Sequence, residues 1–178
     1  MIAPNIFRFS GSSLLAWCSA YAIYEPLSYF VIPAILSSET VQEYYNYKKI
    51  PFAIVAFGDF IYSTFLLLVA QQVIKHTVGA ASSVSMVTWI LSFIIFVGVQ
   101  WVGDISFYSF IQRIPPITKY IDFFQRYTKE VGVGAAIADS IYGIFWFILA
   151  QIMASHAPVW LQATLITLFM FVTLAVSY

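Results

Sequence analysis

Five long apolar runs decide what this chain can fold into. They cover about 12–36, 51–74, 84–112, 132–154 and 157–177. Each is long enough to cross a hydrocarbon core, which takes roughly 20 mostly apolar residues as a helix. A chain in lipid must satisfy its backbone polar groups internally, so such runs become helices or closed barrels. Ten-residue segments of alternating polarity, the mark of a barrel, are absent. Charged residues make up only 9% of the chain against 61% apolar. A soluble surface needs about a quarter charged residues. The expectation is an all-α polytopic membrane helical bundle of five transmembrane helices, forming a single membrane domain over 1–178.

The first run has features of a cleavable leader, with Arg8 ahead of it and the small residues Cys18-Ser19-Ala20 within it. It continues past Glu25 to Leu36, so it is expected to stay as a helix. Cys18 is the single cysteine, which excludes an internal disulfide, a CxxC pair and a thiolate metal cluster; a small buried residue is expected there. If the first two helices form a hairpin, Lys48, Lys49, Arg113, Lys119, Arg126 and Lys129 share one side, and Arg8 and Lys75 the other. The positive-inside rule then puts the N-terminus outside and the linkers 37–50 and 113–131 inside. Zero net charge gives no bulk attraction to nucleic acid.

A tandem repeat organises the helices. Gly58-Asp59-Phe60-Ile61-Tyr62, Phe65 and Ala70-Gln71 recur 80 residues later as Ala138-Asp139-Ser140-Ile141-Tyr142, Phe145 and Ala150-Gln151. The register runs back through Tyr47 and Tyr127 and through Lys49 and Lys129. Repeat one would span about 12–74 and repeat two about 84–154, with an extra, lipid-facing helix at 157–177. Both units begin on the same side, which makes the repeat parallel. Glu25 then corresponds to Asp104 with a one-residue shift.

The linkers read as structured. Thr40-Val41-Gln42-Glu43 has the form of a capping box and should open a short helix. Ile117, Tyr120, Ile121, Phe124 and Val131 recur at three-to-four-residue steps, with Lys119, Asp122, Arg126 and Lys129 on other faces. That pattern predicts an amphipathic helix in the headgroup plane. Tyr44, Tyr45 and Tyr47 are expected to anchor the first linker there.

Function is expected in the carboxylates. Glu25, Asp59, Asp104 and Asp139 fall inside the apolar runs, while no Lys or Arg clearly does. Each charge costs about 2.5–3.5 kcal/mol at a helix centre even on the lenient scale. Counting from the run ends, all four lie at a common depth, about 12 Å inside the cationic face at 1.5 Å per residue. Tyr62 and Tyr142 follow their aspartates by three residues, Tyr108 follows Asp104 by four, Gln100 precedes it by four, and Tyr21 and Tyr29 flank Glu25. Each shares a helix face with its acid and offers it a hydrogen bond.

Three uses of such a layer compete. It glues helices together; it forms a path for protons or small cations, with Glu25, Asp59, Asp104, Asp139, Tyr62, Tyr142, Tyr108 and Gln100 lining it; or it holds a divalent cation, for which oxygen ligands favour Mg²⁺, Ca²⁺ or Mn²⁺. The abundant aromatics would also suit a lipid groove. No H-E-x-x-H, G-x-S-x-G or P-loop motif points to an enzyme. His76 and His156 fall at run ends and read as solvated. Gly79-Ala80-Ala81-Ser82-Ser83 reads as a small-residue turn. Gly132-Val133-Gly134-Ala135-Ala136 suits close helix packing near Asp139, and Pro26 should perturb the helix beside Glu25. The leading expectation is an ion- or proton-handling membrane protein, channel- or transporter-like. The alternative is a non-catalytic membrane scaffold. The partners implied are the bilayer, further copies of the chain to enclose a pore, or subunits of a membrane complex.

The stretch Gly103-Asp104-Ile105-Ser106-Phe107-Tyr108, with Ile114-Pro115, Phe123-Phe124 and Ala138-Asp139-Ser140-Ile141-Tyr142, resembles uncharacterised small polytopic membrane proteins of large DNA viruses of algae and protists. It covers about 98–150. Asp139-Ser140-Ile141-Tyr142-Gly143 is also similar to a D-x-x-[aromatic]-G element of a bacterial membrane-protein family. Neither likeness carries an assigned activity or catalytic residues. The viral one implies a structural role in a virion's internal membrane, with the linkers meeting the capsid; Lys119, Arg126 and Lys129 are then the candidate contacts.

Overall fold

The structure, a computed structural model, describes residues 6–78 and 85–177. Its elements are the α-helices α1 (Gly11–Ile35), α2 (Glu39–Tyr44), α3 (Phe52–Thr77), α4 (Met86–Ile111), α5 (Lys119–Val131), α6 (Val133–His156) and α7 (Val159–Ser177), with no strand among the described residues. The Gly79–Ser83 turn expected from sequence lies outside the described residues.

By length and composition α3, α4, α6 and α7 can each cross a membrane. α1, expected as a fifth span, is not in that set. Its 25 residues include Glu25, two prolines and several serines and tyrosines. Its packing shows why it tolerates them. α1 lies against α6 and α7, and Ala16, Trp17, Ser19, Ala20 and Tyr21 are buried there. Trp17 stacks on Trp146 with ring centroids 3.8 Å apart. The Trp146 indole N–H donates to the Trp17 carbonyl at 3.0 Å. Helix α1 continues through Pro26 and Pro33 without a break. Cys18 is only half-buried, contrary to expectation.

Polar side chains close the helix ends, where backbone groups lack partners. Ser10 and Ser13 form a capping box at the start of α1. Ser38, not Thr40, caps α2, so that helix begins earlier than the T-x-x-E pattern implies. The Gln42 amide on α2 donates to the Pro33 and Leu36 carbonyls at the end of α1. The Gln125 amide on α5 does the same for Ile111 and Ile114 at the end of α4. Gln162 of α7 donates to Met153 and Ala157 at the end of α6. Gly132 joins α5 to α6 at φ 54° and ψ −133°, a conformation that favours glycine.

Helix α7 is less peripheral than expected. It packs against α1 and α3 and buries Gln162, Phe169 and Thr173. At the opposite end from α2 and α5, Ile6 and Phe7 are buried among the helix ends. The Gln71 amide donates to the Ile6 carbonyl at 2.7 Å, and the Ile6 N–H reaches Gln151 Oε1 at 3.4 Å. Phe7 stacks on Phe147 at 4.3 Å.

Candidate functional site

Between the inner ends of the long helices lies a cavity of ≈ 680 Å³, with α2 and α5 contributing to its wall. Asp59 and Tyr62 from α3, Gln100, Asp104 and Tyr108 from α4, and Asp139 and Tyr142 from α6 all line it. Seven of the eight path candidates therefore share one cavity. Glu25 is the exception. It is 1% exposed on α1 and touches the site through Tyr142, whose hydroxyl donates to Glu25 Oε2.

Tyr62 and Tyr142 do not serve the acids expected from sequence. Tyr62 donates to Asp104 Oδ1 at 2.8 Å, across the α3–α4 contact. Tyr142 likewise crosses from α6 to α1. A phenol reaches well beyond its own helix, so sharing a face with an acid three residues back does not bring the two together. Asp59 instead accepts from Tyr44 of α2 at 2.6 Å. Tyr21 donates to the Ala56 carbonyl at 2.5 Å, and the buried Tyr29 hydroxyl has no partner. Tyr108 lines the cavity and forms no hydrogen bond with Asp104.

Asp139 differs from the other three. It lines the cavity and makes no hydrogen bond among the described residues. Asp104 is 2% exposed, and its Oδ2 is buried without a partner. Gln100, 7% exposed, leaves Oε1 in the same condition. Close packing sets them there. A methyl group at Gly143 would come within 3.0 Å of Gln100 Oε1, and one at Gly103 within 2.7 Å of Leu66. Ala135 and Ala136 are buried at the base of α6, as the small-residue run suggested, while Gly134 lines the cavity.

No Lys, Arg or His lines the cavity. No group of three His, Cys, Asp or Glu side chains among the described residues is arranged to hold a metal ion. The divalent-cation expectation therefore has no ligand set here. His76 and His156 are exposed in the last turns of α3 and α6.

The wall made by α2 and α5 is held by a polar clasp. Arg126 donates to Glu43 Oε1 at 3.0 Å and Oε2 at 3.1 Å, and to Asp122 at 3.3 Å. Hydrogen bonding from Arg126 holds the Glu43 carboxyl below its ordinary range. Glu130 accepts from the Ser38 hydroxyl and from the Glu39 and Thr40 N–H groups at 2.8–3.1 Å. These bonds to the start of α2 hold its carboxyl low as well. Burial pushes the Tyr44 and Tyr45 hydroxyls well up, so Tyr44 stays protonated as a donor to Asp59.

Of the contact candidates, Arg126 is thus engaged within the chain. Lys119 lies over the Tyr120 ring at 5.0 Å, and Lys129 is exposed. Sequence reasoning missed Glu130 as a cap and saw Tyr44 only as an interface anchor. Neither partner is near in sequence, and no local pattern could supply them. No protein-family model, curated protein or solved structure matches the chain.

Proposed function

We propose that this chain is a five-span membrane protein that handles protons or small cations through the acid-lined cavity. One observation carries the reading: three aspartates open on a single cavity whose wall holds no cationic side chain. Ionisable side chains in a bilayer are costly, face the bundle interior or a water-filled cavity, and mark ion pathways and proton relays. Here their partners are phenols, and Asp139 has none. An acid left in this way exchanges protons or accepts a passing cation at little cost to the fold. Linked carboxyls titrate as a group, which suits a relay.

The fifth span is α1. At 1.5 Å per residue its 25 residues reach roughly 37 Å, enough to cross, and its neighbours shield its polar groups from lipid. The parallel repeat is supported by bonds that recur in register. Tyr62 to Asp104 mirrors Tyr142 to Glu25. Gln71 and Gln151, also 80 residues apart, hold the Ile6 carbonyl and the Ile6 N–H. With α2 and α5 on the inner side, the acids sit in the inner half of the bilayer.

The test is flux in liposomes. Asp59→Asn combined with Asp139→Asn should abolish pH- or cation-dependent flux while the protein stays folded. No flux from the unaltered chain, with the double variant merely less stable, would sink the proposal in favour of helix glue. The exposed Lys48, Lys49, Arg113, Lys119 and Lys129 support a second reading, a scaffold whose cationic end meets a partner. That reading predicts a co-purifying partner lost on charge reversal at Lys119 and Lys129, and monodisperse protein without one would contradict it.

A further inference from the structure

The cavity is far larger than a proton relay or a bare ion requires. Its ≈ 680 Å³ falls within the roughly 300–1,000 Å³ of pockets that enclose whole small molecules. Its chemistry is also lopsided. Phe96, Phe107, Phe124 and Trp146 give it an aromatic wall, and Asp104 and Asp139 give it carboxyl groups, with no cationic side chain among the described lining residues. Aromatic faces attract cations, most strongly away from water. Asp104 Oδ2 and Gln100 Oε1 are buried, unpartnered and part of that wall. A metal ion would need several oxygens converging at short range, and the described residues present no such group. A diffuse charge on a bulky body needs only through-space attraction and apolar contact.

We propose that the cavity binds a hydrophobic organic cation, an ammonium or phosphonium centre on an apolar body, with its charge between Asp104 and Asp139 and its body against the aromatic wall. This rests on the cation-handling reading and names the class of cation. The rim agrees with the assignment. Leu36 and Ile54 line the cavity and are also exposed at the surface of the bundle, so a ligand dissolved in lipid would meet an apolar entrance.

The probe is tetraphenylphosphonium, measured by equilibrium dialysis against the purified full chain in lipid nanodiscs. Tetraphenylborate, matched in shape and opposite in charge, is the control. The expected result is saturable binding of the phosphonium alone, weakened at least about tenfold by Asp139→Asn and by Asp104→Asn. Gly58→Phe supplies an independent arm. Gly58 lines the cavity, and a methyl group there would meet nothing within 4 Å, so the ring can occupy ligand space without displacing the helices. It should lower phosphonium affinity with the thermal midpoint unchanged.

Absence of phosphonium binding, equal binding of the borate, or indifference to both aspartate variants would overturn the proposal. Liposome flux by the same preparation separates the two claims. Flux without phosphonium binding removes this inference and leaves the cation-handling reading standing. Phosphonium binding without flux keeps the site and removes the transport.

Discussion

Asp59 and Asp139 stand 80 residues apart at matching places in two similar stretches, yet one is hydrogen-bonded and the other, among the described residues, is not. Asp59 accepts a 2.6 Å hydrogen bond from Tyr44. Eighty residues after Tyr44 stands Phe124, which lines the same cavity and has no hydroxyl to give. Asp139 makes no hydrogen bond among the described residues. One acid is tied into the wall and the other is left open to whatever enters. Carboxyls at matching places in the sequence therefore need not have matching surroundings.

The comparison breaks most visibly if its phenol is removed. Tyr44→Phe should leave Asp59 as bare as Asp139 and cost about 1–3 kcal/mol, read as a lower thermal midpoint in lipid or detergent. An unchanged midpoint would mean that the bond contributes nothing and the contrast is empty. The entries to α3 and α6 differ too, the first following Pro51 and the second Gly132. Gly132→Ala forces a side chain into a backbone conformation it rarely adopts and should destabilise by about 1–2 kcal/mol, measured in the same way.

The clasp joining α2 to α5 should have a smaller effect and a pH signature. Both Glu43 and Glu130 are held below their ordinary values, so their contribution is complete above about pH 4.5 and is lost as pH falls through the lowered values. Arg126→Ala should cost about 0.2–1 kcal/mol at pH 7, the usual range for exposed pairs, and the difference from the unaltered chain should shrink as pH falls through the lowered Glu43 value. A constant difference across that range would show that Arg126 acts through packing. The smallest expected change sharpens the comparison most. Asp139→Asn breaks no hydrogen bond and should alter stability by less than about 0.5 kcal/mol, whereas Asp59→Ala, which removes the acceptor for the Tyr44 hydroxyl, should be clearly destabilising.

Much of the fold was legible because lipid leaves a chain few options. The ends of the apolar runs predict the long helices to within a few residues, and the stepped Ile117–Val131 pattern predicts the amphipathic α5. Pairings across helices were not legible. Tyr62 and Tyr142 seem from spacing to serve Asp59 and Asp139, but the phenols reach the acids of neighbouring helices, a matter of packing that no local pattern encodes. The one buried face of α7, whose other faces are exposed as expected, was also missed. A helix apolar on every side gives no hydrophobic face to read, and the one available signal was polar: Gln162 and Thr173 fall on the same face as Phe169. Which acids lie within the bundle could be read from sequence; that three open on one cavity could not.

The central claim is that the acid without a phenol is the working one, and flux through the single variants tests it directly. In liposomes carrying an internal pH indicator, Asp139→Asn should abolish proton- or cation-dependent flux, while Asp59→Asn, whose amide oxygen still accepts from Tyr44, should retain most of it. Equal loss from both, or full flux from Asp139→Asn, would contradict the account.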